Sequence, residues 1–251
     1  MADERGLFIY GIVPSDVEPT PDAAGVGDPP GEVTVIVHGD LAVLVSEVEL
    51  EQPMGRPADL TAYQTLLDGT AAVAPVLPVR FGTVVTGPDA VEDLLKAHHE
   101  QFAAALDEFE DRVQYTVHGR FDEAEMISDF LAENNSAAAL ADQVRGRPEA
   151  ESREQRIRLG EMIAQGVELR REAENRALID LVTPHAVAHT PRPPSSELDA
   201  MNVAFLVDAD DEEEFIRVLE EFAEQRRDLI RIRLLGPLAP YDFVSAHQLV
   251  E

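Results

Sequence analysis

The sequence predicts an α+β protein of two domains, and three observations support this prediction. Short apolar, β-branched runs alternate with helical segments over residues 1–110, an order that indicates an N-terminal α+β domain. Residues 111–251 instead place several helices in succession between strands, which predicts a second domain of different architecture. The chain has 251 residues, 45% of them hydrophobic, which is enough for two cores.

The first domain begins with strand signals. Leu7 to Val13 is a short apolar run and reads as a buried strand, whereas residues 14–31 are rich in Pro, Gly and Asp and predict a surface loop. Val33–His38 and Leu41–Val48 are β-branched runs separated by Gly39 and Asp40. This spacing predicts a two-residue hairpin, and glycine in the first turn position favours a type II′ turn.

Two helices are predicted next, on either side of a short β region. Residues 53–56 predict a loop, and Asp59–Ala74 has helical composition. Its apolar positions at helical spacing are Tyr63, Leu66, Leu67 and Thr70. After Gly87 and Pro88 a single helix is predicted to run to Phe109. Its stripe is Val91, Leu94, Leu95, His98, Phe102, Leu106 and Phe109.

The region between these helices is the candidate functional stretch. Two β-type runs, Val76–Val79 and Thr83–Val85, bracket Arg80, Phe81 and Gly82. Because proline cannot donate to a central ladder, Pro78 predicts an edge strand or a bend. Arg80 is a charge in a mostly apolar setting, so it either pairs with a nearby carboxylate or presents its guanidinium to a partner.

The second domain starts with a strand over Arg112–His118, followed by three helices over about residues 121–183. Asp122 with Glu125 forms a capping box for the first helix, and Ser136 is the predicted cap of the second. Pro148 opens the third, which reaches about Val182 and is therefore roughly 50 Å long. Its predicted stripe contains small residues that favour close packing of another helix of this chain: Leu159, Ile163, Gly166, Ala173, Ala177 and Leu181.

The rest of the second domain gives its fold class. Strands are predicted over 185–190, 201–207 and 229–235, with an acidic amphipathic helix over 208–226 before the last. The order is then strand, helices, strand, strand, helix, strand, which is the ferredoxin-like order. We therefore predict a modified ferredoxin-like fold with an extended helical insertion, followed by a C-terminal tail.

Composition excludes several partner classes. A net charge of −29 repels nucleic acid and anionic lipid, and no apolar run approaches the length of a membrane span. The chain has no Cys, which allows a reducing cytoplasm and excludes disulfides. The start, Met1 to Glu4, lacks the basic region of a signal peptide, so a cytoplasmic location is expected.

No catalytic, cofactor or metal site is predicted. His185 and His189 are four residues apart on a predicted strand, without the helix that a metal-binding pair at this spacing needs. Gly25 and Gly27 lie in a Pro-rich loop rather than before a helix, and Lys96 is the only lysine, so neither a dinucleotide nor a phosphate loop is indicated. Nothing assembles a nucleophile, a base and an oxyanion site, and we expect a protein that is not an enzyme.

Five stretches together resemble one known family. They are Leu7–Val13, Pro75–Val85, Arg156–Glu161, Asn202–Val207 and Gly236–Val244. In this order they resemble the gas vesicle accessory proteins F and L (GvpF/GvpL). Ala239 and Asp242 depart from the Pro and Ser of the family pattern in the last stretch.

The resemblance implies a gas vesicle accessory or assembly protein. Such a protein binds the hydrophobic shell protein, and other accessory proteins, during vesicle formation or at the gas-facing inner surface. We place the partner on the first domain, at the apolar strands near the predicted edge. The candidate binding residues are Pro78, Arg80, Phe81, Gly82 and Thr83.

Two alternatives stay open. One is a ferredoxin-like domain that senses or converts a small anionic molecule, with Arg80 as the anion clamp; a deep pocket at Arg80 would favour it. The other is a minor structural component of the vesicle shell.

Overall fold

A computed structural model describes residues 5–19, 23–50 and 55–244. Met1 to Glu4 lie outside the described residues, as do parts of the predicted loops at 14–31 and 53–56. The chain divides into two compact units. The first holds the chain up to Tyr115 together with the segment from Gly236 onward, and the second holds Thr116–Leu235.

The first unit is a sheet covered by helices. The sheet order is β2-β3-β1-β4, with β5 also pairing with β1, and the pairs are antiparallel. Its aromatic and aliphatic core includes Phe8, Tyr10, Leu44, Tyr63 and Leu67. The elements are β1 (Arg5–Pro14), β2 (Val33–His38), β3 (Leu41–Glu49), α1 (Pro57–Ala71), β4 (Leu77–Pro78), β5 (Val84–Val85), α2 (Pro88–Ala97) and α3 (His99–Glu108).

The predicted hairpin is confirmed. His38 of β2 pairs with Leu41 of β3, so Gly39 and Asp40 form a two-residue turn. Gly39 has φ of 66°. Asp40 is not among the residues with positive φ, a combination that fits the predicted type II′ turn.

The single helix predicted over Pro88–Phe109 is wrong. The chain breaks at His98, whose φ and ψ are −122° and 20°, and α2 and α3 lie on either side. Neither Gly nor Pro marks the break in the sequence. It coincides with a tertiary contact, in which Nε2 of His99 lies 2.5 Å from a carboxylate oxygen of Asp40 in the hairpin turn.

The second unit contains a four-stranded sheet in the order β7-β8-β6-β9. Strands β6 and β9 also contain the points at which the chain passes between the units. A 3-10 turn over Thr183–His185 contains the start of the strand predicted from residue 185. A second 3-10 turn, Ala209–Asp211, replaces the start of the helix predicted from residue 208. The elements are β6 (Arg112–Phe121), α4 (Glu123–Glu133), α5 (Asn135–Val144), α6 (Glu149–Val182), β7 (Ala188–Pro191), β8 (Asp199–Asp208), α7 (Glu212–Arg226) and β9 (Ile230–Leu238).

The three inserted helices are confirmed, with two corrections. The Asp122 carboxylate caps α4 as predicted, but the cap of α5 is Asn134, whose side chain accepts from the N–H groups of Ser136 and Ala137. The buried positions of α6 are Ser152, Val167, Leu178 and Val182, whereas the predicted Ala173 and Leu181 are exposed. Apolar residues of this helix also occupy its exposed side, among them Ile157, Leu169 and Leu181, so periodicity determines its buried face poorly.

Gly166 does mark a close helix contact. A β-carbon placed on Gly166 of α6 would lie 2.3 Å from the ring of Phe130 on α4. The predicted packing of another helix of the same chain against α6 is therefore confirmed at this position.

The tail groups differently from the predicted domains. Residues 111–251 were assigned to one domain, but the segment from Gly236 belongs to the first unit. The Asp68 carboxylate accepts hydrogen bonds from the Ala239 N–H at 2.9 Å and the Tyr241 hydroxyl at 3.0 Å. Gln114 and Asp242 exchange two further bonds. These contacts, and not any local pattern, hold the tail on the first unit.

Candidate partner-binding site

The five candidate residues lie at the edge of the first sheet. Strand β4 is the last strand on its side, where Pro78 pairs with Gly11 of β1, so the predicted edge position is confirmed. Backbone bonds tie the stretch to β1 at both ends, from Val79 N–H to Tyr10 O at 2.9 Å and from Ile9 N–H to Thr83 O at 3.0 Å. The candidate residues are thereby held on a fixed support.

Residues Arg80 to Thr83 form a tight turn between those anchors. The Arg80 carbonyl accepts from the Thr83 N–H at 3.1 Å and from the Thr83 hydroxyl at 2.7 Å. Gly82 has φ of 90°, which is the positive value that the third position of a type II turn requires. The turn directs the chain so that Phe81 is half-buried while Arg80 is exposed.

Phe81 packs onto an aromatic cluster of the core. Its ring centroid lies 5.5 Å from that of Phe8 and 5.3 Å from that of Tyr63, both at edge-on angles that aromatic rings favour. The Tyr63 hydroxyl donates to the Val79 carbonyl at 2.5 Å, and burial raises the pKa of that hydroxyl. The Tyr63 hydroxyl is therefore a neutral donor that fixes the end of β4.

Above this cluster is a surface pocket of about 700 Å³. Apolar and aromatic side chains contribute most of its lining, and among the described residues that line it Arg80 is the only cation. The tail contributes Tyr241, whose ring lies 6.3 Å from that of Tyr63. The lining residues are Leu60, Tyr63, Gln64, Pro78, Val79, Arg80, Phe81, Gly82, Thr83, Val84, Tyr241 and Val244.

Arg80 is exposed, and no carboxylate within the described ranges forms an ion pair with it. These ranges therefore give no support to the interpretation as a structural, paired arginine. The other interpretation, a guanidinium presented to a partner, stays a prediction. Tyr63 and Tyr241 were missed as site residues, because only the folded tail brings them together.

A half-buried carboxylate supports the tail side of the pocket. Burial raises the pKa of Asp68, and the hydrogen bonds from Ala239 and Tyr241 oppose that rise. Burial, and after it the charge of the same carboxylate, raises the pKa of the Tyr241 hydroxyl, which stays a donor. Asp68 thus positions Tyr241 in the pocket wall.

A second polar cluster, in the other unit, has the residue types of a hydrolase but not the geometry. Burial favours a raised pKa for Asp199, yet bonds from Ser195 and Ser196 outweigh burial and hold the pKa well below its usual range. Both serine hydroxyls donate to Asp199 at 2.7 Å, and His118 lies 3.4 Å from the same carboxylate. Since the hydroxyls are bonded to the acid and not to the imidazole, no activated serine results.

The described residues contain no group of three or more His, Asp or Glu side chains arranged to hold a metal ion. His185 lies in a 3-10 turn and His189 in β7. No helix within the described ranges combines the length and apolar character needed to cross a bilayer.

The structure thus defines an α+β protein with an aromatic-lined pocket at the edge of a sheet. A family model described as gas vesicle synthesis protein GvpL/GvpF matches residues 6–245. The chain therefore belongs to the GvpL/GvpF family, as the sequence motifs indicated.

Relatives named gas vesicle protein F and gas vesicle protein L are each similar to this chain over nearly its whole length. Gas vesicle protein F of Streptomyces sp. (strain CB03234) is 34% identical over 240 residues, covering 95% of this chain and 99% of that protein. Gas vesicle protein L of the same strain is 27% identical, covering 98% of this chain and 95% of the relative. The chain therefore spans the length of its relatives.

Two crystal structures have the same fold. GvpF from Anabaena sp. PCC7120 superposes with a TM-score of 0.78 at 24% identity, covering 96% of this chain and 98% of that one. GvpF from Microcystis aeruginosa gives a TM-score of 0.74 at 22% identity, covering 96% and 99%. The mixed helix and sheet architecture is thus that of gas vesicle proteins of known structure.

Proposed function

We propose that the protein is a non-enzymatic gas vesicle assembly factor that binds the hydrophobic shell protein at the Arg80 pocket. The observation that carries this proposal is an apolar, aromatic-lined pocket beside an exposed arginine with no ion pair among the described residues. An apolar side chain of the partner enters the pocket, and a neighbouring partner carboxylate pairs with Arg80.

The location at a sheet edge suits this kind of partner. Strand β4 ends the sheet, and an extended apolar segment that docks at an edge gains backbone hydrogen bonds as well as side-chain contacts. A carrier with net charge −29 stays soluble while it holds such a segment. We place this activity in the cytoplasm, during early vesicle formation or at the gas-facing surface, with other accessory proteins as further partners.

We also infer that the second unit is a modified ferredoxin-like domain. The element order from β6 to β9 supports this, with α4, α5 and α6 together replacing the first crossover helix. The sheet order β7-β8-β6-β9 supports it as well, because the first strand of the unit lies between the third and the fourth.

The anion-binding alternative is supported by one observation, the pocket volume. About 700 Å³ lies within the range of small-molecule sites, and a pocket at Arg80 was the feature expected to favour this alternative. The lining favours the protein partner, because a site for a small anion needs several convergent donors and the only cationic lining residue is Arg80, which is exposed.

The test compares Arg80 in the pocket with Arg233 in β9. Both arginines are exposed, and neither forms an ion pair with a described residue. Full-length Arg80→Glu and Arg233→Glu are each co-expressed with the tagged shell protein, and the chain recovered with the tag is quantified. We expect Arg80→Glu to lose at least about tenfold in recovery, as for a central contact, and Arg233→Glu to match the wild type.

Equal recovery of both variants contradicts the proposed site. Native mass spectrometry of the purified chain addresses the anion alternative, which requires a small molecule that is retained by wild type and lost in Arg80→Glu. Stoichiometry in purified vesicles distinguishes a shell component, which is present throughout the wall, from an assembly factor.

A further inference from the structure

A groove in the second unit is independent of the Arg80 pocket. It has a volume of about 820 Å³ and lies between α4, α6 and the loop that precedes β8. Its apolar floor includes Met126, Ile127, Ile163, Ala164 and Val167. Within the described part of the chain, nothing fills this space.

One stripe of α6 connects the groove to the helix surface. Positions 153, 157, 160, 164 and 167 follow each other at intervals of three or four residues and so share one face. Val167 is buried within the unit, but Ala164, Gly160, Ile157 and Arg153 are all exposed, Ile157 at 54%. The stripe is therefore covered by the rest of the unit at Val167 and is exposed from Ala164 back to Arg153.

The two glycines of α6 support the same reading. Gly166 is required by the close approach of Phe130, whereas a β-carbon on Gly160 would meet nothing within 4 Å. A glycine in a helix interior is destabilising relative to alanine, and no close contact within this chain requires glycine at position 160. A close approach from outside the chain would explain it.

We propose that this face is an interface between two copies of the chain, with their α6 helices crossing antiparallel. A two-fold axis beside Gly160 and Glu161 places Ile157 of one copy opposite Ala164 of the other, so each Ile157 enters the other copy's groove. The same axis places Arg153 opposite Glu168. Ile157, the groove that receives it, Arg153 and Glu168 all lie on one surface of the chain. Such a surface can pair with a copy of itself, as a two-fold interface requires.

The charges favour a second copy over an unrelated acidic or basic helix. Arg153 has no ion pair among the described residues, and the Glu168 side chain is 57% exposed although it bonds Arg171. A second copy supplies the opposite charge to both positions at once. Long-range repulsion between two chains of −29 each opposes the contact, so association strengthens as salt is raised to ~0.15 M, where the Debye length is about 8 Å.

The chain has no cysteine, so single-cysteine variants test the geometry directly. In the proposed dimer, the two Glu161 positions lie beside each other at the two-fold axis. The two Glu172 positions lie about 30 Å or more apart, because the helices run antiparallel away from the axis. We expect mild oxidation to link Glu161→Cys into a dimer and to leave Glu172→Cys as monomer. Equal linking of the two variants, or none, overturns the proposal.

Sedimentation of the full chain tests the contacts. Gly160→Leu projects into open space in the single chain and replaces glycine with a better helix former, so its melting temperature should not fall below that of wild type while the association constant falls at least about tenfold. Arg153→Glu and Glu168→Arg should each weaken association, and the double variant should restore it. A wild-type chain that stays monomeric at all attainable concentrations, or a double variant weaker than both singles, overturns the proposal.

Discussion

Arg56 and Arg80 lie in the same unit and have opposite surroundings. Arg56 donates to the Asp59 carboxylate through Nε at 3.2 Å and Nη2 at 2.9 Å, and to Asp28 at 2.9 Å. Asp59 is only 2% exposed and also accepts from backbone N–H groups of Gly27 and Arg56. Arg56 is therefore the arginine that supports the fold, whereas Arg80 forms no ion pair within the described ranges.

The first prediction compares these two arginines in urea unfolding. Arg56→Ala leaves the buried Asp59 carboxylate with fewer donors and should lower the free energy of unfolding. Arg80→Ala removes an exposed side chain without an ion pair in the described ranges and should stay within about 0.5 kcal/mol of wild type. A comparable loss in both variants would show that Arg80 also supports the fold.

A second prediction follows from two aspartates of α1 whose pKa values shift in opposite directions. Hydrogen bonds from Arg56 hold the pKa of Asp59 well below 3.8, whereas burial raises the pKa of Asp68. The stability due to Asp59 is present above pH ~3.8 and is lost as pH falls through its lowered pKa. The contribution of Asp68 is present below pH ~3.8 and is lost as pH rises through its raised pKa.

Asp59→Asn and Asp68→Asn should therefore respond oppositely when unfolding is measured from about pH 7 to pH 3. The deficit of Asp59→Asn should shrink on acidification. The stability of wild type relative to Asp68→Asn should instead increase, because the wild type no longer has to hold a half-buried charge. Parallel curves for the two variants would contradict the opposite surroundings seen in the structure.

For single residues, the sequence predicted the edge position of Pro78, because proline cannot donate to a central ladder. The packing of Phe81 onto the aromatic cluster was not predicted, and the candidate binding residues stay a prediction. Arg80 was expected in an apolar setting, and the turn at Gly82 instead leaves it exposed. Tyr63 and Tyr241 are 178 residues apart in number, and no local pattern could bring them together.

Helix α6 gives a prediction at the scale of the element. Gly160→Ala should raise the free energy of unfolding by about 0.5–1 kcal/mol, since its β-carbon meets open space and glycine weakens a helix. Gly166→Ala should lower it by roughly 1–3 kcal/mol, because the new β-carbon would lie 2.3 Å from the Phe130 ring. Gly166→Ala with Phe130→Leu, which makes room, should recover part of that loss in thermal and urea unfolding.

Elements with strong local signals were predicted well and others were not. The β2–β3 hairpin and the Asp122 cap depend on residues within four positions of each other, and both are confirmed. The break at His98 coincides with the contact between His99 and Asp40, which is distant in sequence, and the apolar periodicity continues across it through α2 and α3. The face of α6 was misplaced because its apolar residues do not keep to one face, and Ile157, Leu169 and Leu181 are exposed.

For the whole molecule, the tail shows what one sequence cannot specify. Asp68 binds Ala239 and Tyr241, and Gln114 binds Asp242, across more than a hundred residues of chain in each case. Such contacts place the segment from Gly236 with the first unit, although the linear order suggested the second domain. A fragment that ends near residue 110 would therefore lack part of the Arg80 pocket, and binding studies need the full chain.

The final prediction concerns the charge of the whole chain. With 49 acidic and 20 basic residues, most carboxylates have no cation to pair with. Exposed pairs such as Arg217 with Glu214 contribute little to stability because solvent screens them, so net repulsion dominates at low salt. The melting temperature should rise by several degrees between low salt and ~1 M NaCl, where the Debye length is about 3 Å.

Chloride is the appropriate salt for this test, because sulfate and phosphate stabilise most proteins through exclusion from the surface. A matched variant, Glu213→Gln with Glu220→Gln, removes two exposed charges from α7 without touching its buried face. It should melt higher than wild type at low salt and gain less from added NaCl, because it starts with less repulsion. If the melting temperature instead falls with salt, specific ion pairs outweigh repulsion, and the acidic surface is then a stabilising network rather than a source of self-repulsion.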